Sequence, residues 1–191
     1  MSFYSNWKIR EWGRQAVLPV NEIKELITDS IFKKYLIENV IDFGAGTLYW
    51  SKWFKEKAEH IYPVDIIYES KTPDTDFNCI STIDRVPWGR ADHTLFFMCD
   101  VLHHIPNDVW MHVRRCAVEN CKVIVIKDIN CHYRFKNFMN KLHDFVINGE
   151  MIHDVDPDIL INELHQSGYR TAYYDIHKLW YPHFIIIAVK E

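Results

Sequence analysis

The sequence of 191 residues lacks the features that mark membrane, disulfide-stapled or multidomain proteins. No apolar run approaches the roughly 20 residues that span a bilayer, and residues 1–15 lack the apolar core of a signal peptide. The five cysteines are odd in number and include no CxxC pair. No repeat and no Pro/Gly/Ser-rich linker divides the chain. We therefore expect a single domain, 1–191, in the reducing cytoplasm.

The sequence also lacks an excess of positive charge. Lysine and arginine number 22 against 26 aspartate and glutamate, which gives a formal net charge of −4. No global basic field would therefore draw the protein to nucleic acid, and a local basic patch stays open because net charge averages over faces. A small molecule is the favoured partner, and composition leaves the oligomeric state open.

Apolar patterns typical of strands and helices alternate along most of the chain. Two of the strand segments, TLFFMC and KVIVI, are continuously apolar, as expected when helices cover both faces of a sheet. Strands are predicted at 39–43, 60–64, 77–80, 94–99, 122–126, 170–175 and 184–189, and helices from about 21 and at 48–58, 107–119 and 158–166. This order predicts an α/β, Rossmann-like fold with a seven-stranded, mostly parallel sheet, an antiparallel last strand and helices on both faces.

A glycine turn after the first predicted strand is the most informative segment. Residues 42–47 read DFGAGT, and a helix and a second strand ending in Asp65 follow. Glycine lets a backbone approach a ligand where a Cβ would collide, and an acidic residue after the second strand can hold both hydroxyls of a ribose. The pattern indicates an adenosine-bearing cofactor. The alternative is a plain strand–helix turn with Asp65 in a surface turn.

The residue types at two positions distinguish a dinucleotide site from a site for a different adenosine cofactor. The dinucleotide motif G-x-G-x-x-G needs a third glycine, and Tyr49 occupies that position. Asp42, just before the turn, would repel a pyrophosphate but could orient the ammonium group of a methionine moiety. A nicotinamide oxidoreductase is therefore disfavoured.

Three segments in this order and spacing resemble the class I S-adenosylmethionine-dependent methyltransferases over roughly residues 39–191. DFGAGT matches the first motif of that family, D/E-x-G-x-G-T/S. Asp65 matches its ribose-binding acid, and TLFFMCDVLHHIP matches its fourth conserved segment. The resemblance implies S-adenosylmethionine as cofactor.

The resemblance also implies roles for the cofactor-binding residues. Gly44, Ala45 and Gly46 would pass beneath the methionine and the ribose, and Asp65 would bind the ribose hydroxyls with Ile66 against the adenine.

Two further acids are implied with less support from the motifs. The family usually has an aspartate that reaches the adenine amino group before a Leu-Pro-aromatic sequence. Here IDRVPW has valine for leucine, so Asp84 is either that residue or a turn residue. Asp100 would lie at the mouth of the methionine pocket.

The candidate catalytic residues follow two predicted strands. His103 matches the base of small-molecule O-methyltransferases that carry Leu-His-Asp-Trp here, although His104 replaces the aspartate. Histidine titrates near ~6.5, which suits a general base. Alternatively, His103 only shapes the pocket and His104 packs against the next strand. Asp128 ends that strand and faces the same crevice, so it is a second candidate.

Two segments are predicted to close over this crevice. Residues 1–38 would form an N-terminal helical arm or lid, and 129–157 an inserted helical cover that carries His143 and Asp144 towards substrate. The alternative for these two side chains is a solvated helix face. The histidines show neither HExxH nor paired-cysteine spacing, so no metal site is predicted.

These features predict methyl transfer from S-adenosylmethionine to a small-molecule acceptor. A hydroxyl is favoured, with sugar or polysaccharide precursors as one acceptor class. A non-catalytic protein that binds S-adenosylmethionine or S-adenosylhomocysteine is an alternative. A nucleic-acid methyltransferase is another, although CDVLHHIP differs from the Asn/Asp-Pro-Pro-Tyr/Phe segment of that class.

Overall fold

A six-stranded sheet forms the centre of the computed structural model, which describes residues 19–69, 76–133, 138, 141, 153–178 and 181–191. The strands are β1 (Asn39–Phe43), β2 (His60–Val64), β3 (Thr94–Cys99), β4 (Val123–Ile129), β5 (Tyr169–Lys178) and β6 (Tyr181–Lys190). Their order is β2-β1-β3-β4-β6-β5, in which β1 to β4 run parallel and β6 is antiparallel to both of its neighbours. The predicted α/β class, the mostly parallel sheet and the antiparallel last strand are confirmed.

Four α-helices connect and cover these strands in the described part of the chain. They are α1 (Val20–Ile27), α2 (Tyr49–Phe54), α3 (Asn107–Asn120) and α4 (Pro157–Gln166). Short 3₁₀ segments follow β2 and β3, and a π-helical turn, Thr28–Phe32, extends α1. None of the helices in the described ranges is long and apolar enough to cross a membrane.

The predicted strand at 77–80 is not formed, so a seventh strand is absent from the described residues. Only Ile80 makes a bridge, parallel to Val64, with its N–H donating to the Pro63 carbonyl at 2.9 Å. Pro63 has no N–H with which to continue a ladder on that side of β2. The segment instead turns on itself, because the Cys79 N–H donates to the Phe77 carbonyl at 3.1 Å. Pro63 in β2 thus prevents a further strand from pairing along this edge of the sheet.

The central strands alternate between two buried faces. Leu95 and Phe97 pack with the residues of α1 and α2, and this surface is called the α1/α2 face. Phe96 and Met98 pack with α3 and α4, and that surface is called the α3/α4 face. Successive side chains of a strand point to opposite faces, so a strand covered on both sides must be apolar throughout. The continuous apolar runs predicted this arrangement correctly.

Helix α1 belongs to the core. Ile23, Ile27 and Ile31 are fully buried, and their spacing of four residues places them on one side of the helix. Part of the predicted arm at 1–38 therefore covers the α1/α2 face. Residues 1–18, the rest of that arm, lie outside the described residues.

The strand order reverses between β1 and β3, so their carboxyl ends border a crevice. Gly44 begins the turn after β1 with a φ of +74°. A Cβ on Gly44 would lie 2.1 Å from Cγ2 of Val101, which follows β3. The Gly44 N–H also donates to the Val64 carbonyl at 2.7 Å. Glycine is therefore needed here for both backbone conformation and space.

We expect Gly44→Ala to be more destabilising than Gly168→Ala. Gly168, just after α4, has a φ of +82° but nothing within 4 Å of a Cβ placed on it. Alanine there adds only left-handed strain, about 1–2 kcal/mol, whereas at Gly44 overpacking against Val101 adds about 1–3 kcal/mol more. Urea denaturation of the two variants measures the difference. Equal losses in the free energy of unfolding would contradict the contact with Val101.

Candidate active site

Asp65 is bonded directly to the glycine turn. Its Oδ2 accepts a hydrogen bond from the Gly46 N–H at 2.8 Å, and its Oδ1 accepts one from the Ile67 N–H at 3.1 Å. Gly46 has a φ of +48°, and a Cβ placed on it would meet nothing closer than 4.0 Å. The structure thus brings together the turn after β1 and the acid after β2, with open space above Gly46.

Apolar groups lie on both sides of this turn. Ile66, next to Asp65, exposes 75% of its surface. Ala45 is buried with Tyr68, whose hydroxyl donates to the Gly46 carbonyl at 3.1 Å. Burial raises the pKa of Tyr68, so the hydroxyl remains a donor. Sequence patterns gave no indication of Tyr68.

Asp42 lies in the interior at the end of β1. Only 2% of the residue is exposed, and its Oδ2 accepts a hydrogen bond from the Ser51 hydroxyl at 2.5 Å. Ser51 lies in the first turn of α2, where a carboxylate is favoured by the helix dipole. Asp42 therefore fixes α2 against β1. The role predicted for it towards an ammonium group stays a prediction.

Tyr49 is the first residue of α2, at the position where a dinucleotide motif has its third glycine. Its hydroxyl accepts a hydrogen bond from the Lys24 ammonium at 3.2 Å, and that ammonium lies 4.8 Å from the centroid of the ring. The ring thus fills the space between α1 and α2. The expectation that a pyrophosphate is disfavoured at this helix terminus stays a prediction.

Asp84 is exposed and faces α3. Its Oδ1 lies 2.7 Å from Nε2 of His112, and its Oδ2 accepts a hydrogen bond from the Thr82 hydroxyl at 3.2 Å. The hydrogen bond to His112 is the main cause that holds the pKa of Asp84 below its ordinary value. These contacts do not connect Asp84 with Asp65. The predicted adenine contact stays a prediction.

A buried lysine neutralises Asp100 at the end of β3. Lys127, fully buried in β4, donates to Oδ1 of Asp100, and its ammonium lies 2.9 Å from Nδ1 of His183. Burial opposes the ionisation of Asp100, but the charge of Lys127 and the hydrogen bond that its ammonium donates outweigh burial and hold the pKa of Asp100 below its ordinary value. Burial, followed by the charge of Lys127, lowers the pKa of His183 to about 3. Asp100 is therefore ionised beside a neutral imidazole that accepts from Lys127.

His103 and Asp128, predicted separately as bases, form one pair. Oδ1 of the fully buried Asp128 lies 2.5 Å from Nδ1 of His103, and its Oδ2 accepts a hydrogen bond from the Leu102 N–H at 2.9 Å. A carboxylate at Nδ1 keeps the proton there and places the basic lone pair on Nε2. Asp128 therefore orients His103. The neighbouring His104 is exposed, so it does not pack against β4.

A polar array continues from the end of β4 towards β5. The Asn130 amide donates to the Tyr173 hydroxyl at 2.9 Å and to Oδ1 of Asp175 at 3.2 Å. Oδ2 of Asp175 accepts a hydrogen bond from the Tyr133 hydroxyl at 2.5 Å. Asn130 is almost fully buried, whereas Tyr173 exposes 40% of its surface. Sequence reasoning missed this array because β5 and β4 lie 40 residues apart and are joined only through β6.

Two predicted elements lie outside the described residues. His143 and Asp144 fall in 142–152, and most of the predicted cover at 129–157 falls there or in 134–137. The described ends of that cover are Ile129 at the end of β4 and Pro157 at the start of α4. An ion pair of 2.7 Å between Lys141 and Asp154 connects it to the second end.

No protein-family model matches the sequence, and no curated protein matches it significantly. Solved structures are similar in fold. A methyltransferase that uses S-adenosylmethionine, from Archaeoglobus fulgidus, has a TM-score of 0.67 at 16% identity over 95% of this chain and 99% of that one.

Two further structures agree with this likeness. Magnesium protoporphyrin IX methyltransferase from Synechocystis PCC 6803, with bound S-adenosylhomocysteine, has a TM-score of 0.60 at 14% identity over 90% of this chain and 80% of that one. A methyltransferase from Mesorhizobium loti that depends on S-adenosylmethionine has a TM-score of 0.61 at 12% identity over 84% and 95%. The chain therefore has the fold of class I S-adenosylmethionine-dependent methyltransferases.

The neutral, buried His183 makes stability sensitive to acid. Its pKa of about 3 in the folded protein lies below the 6.5 of an ordinary histidine, so the unfolded state binds more protons between these values. Lowering the pH through this window should reduce the free energy of unfolding by up to about 1.4 kcal/mol per pH unit. Asp100, with its depressed pKa, should lose its contribution only below 3.8.

We expect His183→Gln to weaken this acid sensitivity, because glutamine can accept from Lys127 without titrating. Urea denaturation between about pH 7 and 5 measures it. His165→Gln, at an exposed histidine, is the control and should keep the wild-type slope. A wild-type slope in His183→Gln would contradict a neutral His183.

Proposed function

We propose that the protein transfers a methyl group from S-adenosylmethionine to a hydroxyl of a small molecule. The observation that carries the proposal is the hydrogen bond between Gly46 and Asp65, with the exposed Ile66 beside it. An acid for two ribose hydroxyls, an open glycine backbone and an apolar side chain for a heterocycle fit an adenosine ligand. The fold that this chain has in common with methyltransferases supports the choice of cofactor.

Different residues around the crevice would contact different parts of the cofactor. Asp65 would accept hydrogen bonds from the ribose hydroxyls, and Ile66 would pack against the adenine. Asp100 is ionised and 29% of its side chain is exposed, so it would line the methionine end. S-adenosylmethionine supplies a methyl group that its sulfonium already activates. The protein's own task is to align the acceptor with that methyl and to exclude water.

The pair of His103 and Asp128 supports a hydroxyl acceptor. A hydroxyl must lose its proton as the new carbon–oxygen bond forms, and Nε2 of His103 would take it. Asp128 would then stabilise the imidazolium, because its Oδ1 already lies 2.5 Å from Nδ1. His103 acts as the base and Asp128 as its positioning residue.

The polar array supports a small, hydroxylated acceptor. Asn130 lies two residues beyond Asp128 on the same strand side, towards Tyr173 and Asp175. An aromatic ring combined with amide and carboxylate groups is suited to a polyhydroxylated molecule such as a sugar, which offers both hydroxyls and an apolar ring face. One fold neighbour is also named for a small molecule, magnesium protoporphyrin IX.

The burial of His103 favours a second candidate function. Only 5% of its side chain is exposed, which also fits a protein that binds S-adenosylmethionine or S-adenosylhomocysteine without catalysing transfer. Formation of S-adenosylhomocysteine in the presence of hydroxylated acceptors separates the two. Cofactor binding without turnover on any of a panel of sugars and phenols would favour the binding protein.

We expect calorimetry to detect S-adenosylmethionine and S-adenosylhomocysteine but not NAD. Asp65→Asn should weaken binding about 10-fold or more, because a charged acceptor for the ribose hydroxyls is lost. Asp76→Asn is the matched control, since Asp76 is an exposed acid of the same β2–β3 connection, bonded to Lys55. Binding of NAD alone, or equal effects of the two variants, would overturn the cofactor assignment.

We expect His103→Gln to lower turnover by about 10²–10⁴-fold while cofactor affinity is kept, as for loss of a general base. Asp128→Asn should lower turnover and shift the pH profile, because the amide cannot stabilise an imidazolium at His103. His104→Gln, at the exposed neighbour, should retain wild-type turnover. Circular dichroism checks that each variant is folded. Unchanged turnover in His103→Gln would refute its role as base.

A further inference from the structure

We propose that Cys131, His132 and Asp156 bind a divalent transition metal such as Zn²⁺ between the end of β4 and the start of α4. One ligand atom of each residue lies within 4.8 Å of the others. Nε2 of His132 lies 3.3 Å from Oδ1 of Asp156 and 3.9 Å from Oδ2 of Asp158, which offers a fourth donor. Thiolate, imidazole and carboxylate are the ligands that zinc takes in proteins.

The spacing of these atoms is close to that of a tetrahedral site. Bonds of about 2.0–2.3 Å place neighbouring ligand atoms about 3.3–3.7 Å apart around zinc. The ligand atoms of His132 and Asp156 already have this separation. Side-chain rotations that move the remaining ligand atoms by about 1 Å would bring them to the same separation. Such rotations are available because Cys131 and Asp156 are partly buried and His132 is exposed.

Local charge also favours a cation here. Asp154, Asp156 and Asp158 occupy alternate positions before and within the first turn of α4. The Lys141 ammonium lies 2.7 Å from Asp154 and neutralises it. The carboxylates of Asp156 and Asp158 face His132 and the N-terminus of α4 instead. When Cys131 loses its proton to solvent and binds as thiolate, the thiolate and these two carboxylates carry three negative charges, of which a divalent ion neutralises two.

A second group has a similar composition but is unsuited to a metal. It consists of Asp84, His112 and Cys116. A guanidinium nitrogen of Arg115 lies 3.2 Å from Nδ1 of His112 and can only donate to it. Nε2 of His112 therefore carries the proton and donates it to Asp84 at 2.7 Å, so neither ring nitrogen has a lone pair for a metal. The positive charge of Arg115 would also repel a cation. This second group serves as a matched control.

The proposed site joins two distant parts of the chain. Cys131 and His132 follow β4, whereas Asp156 precedes α4, so the metal would connect the two ends of the segment predicted to cover the crevice. The site begins three residues beyond Asp128. Cys131 and His132 are adjacent in the sequence, whereas Asp156 follows His132 by 24 residues, so no short spacing motif marks the three ligands. The inference is independent of methyl transfer.

Cobalt titration tests the site without an activity assay. Protein freed of metal by a chelator should bind one equivalent of Co²⁺, with the intense visible bands of tetrahedral cobalt and a near-ultraviolet thiolate-to-cobalt band. Zn²⁺ should abolish both. Cys131→Ser should remove the thiolate band, and His132→Ala and Asp156→Asn should weaken Co²⁺ binding at least about 10-fold. Asparagine keeps the N-cap of α4, so Asp156→Asn leaves the helix start intact.

Cys116→Ser in the control group should retain the full cobalt spectrum. The thermal midpoint of each variant without metal shows whether it is folded. Failure of the folded wild-type protein to bind one equivalent of Co²⁺ would overturn the site. So would a thiolate band that persists in Cys131→Ser or disappears in Cys116→Ser.

Discussion

Burial of a carboxylate, Asp128, is the constraint on which the carboxyl edge of the sheet depends. A fully buried carboxyl group is tolerated only when hydrogen-bond donors meet its oxygens. The donors come from the Leu102 N–H, the His103 ring and the N–H of Ile129, the last at 2.7 Å. The exit of β3 is therefore held against β4. That exit also carries Val101, against which the glycine turn of β1 packs.

Neighbouring residues in one strand serve opposite sides of the sheet. Lys127 and His183 belong to the α1/α2 face by their register, whereas Asp128 pairs with Phe184 on the α3/α4 face. The segment KDIN, which reads in sequence as one polar cluster, is thus divided in two. One half neutralises Asp100, and the other orients His103. A period of two along the strand creates two electrostatic environments from adjacent residues.

The same reasoning explains what the sequence could predict. The glycine turn and Asp65 follow consecutive parallel strands, so chain order alone places them together. The contact of Lys127 with His183 depends on the pairing of β4 with a distant antiparallel strand, which no local pattern reports. The incorrect strand at 77–80 had a suitable apolar pattern. Its failure lies in Pro63, a residue of the neighbouring strand.

The order of strands in the sheet also orders the proposed chemistry. The residues proposed to bind the cofactor lie at the ends of β1 and β2, the His103–Asp128 pair joins β3 to β4, and the polar array extends from Asn130 to β5. An acceptor bound on that array would approach the pair from the side opposite the cofactor residues. Methyl transfer needs acceptor, methyl carbon and sulfur in line, and the proposed base lies between the two proposed binding regions. Under this proposal, the burial of His103, whose side chain is only 5% exposed, keeps bulk water away from the imidazole that would receive the proton.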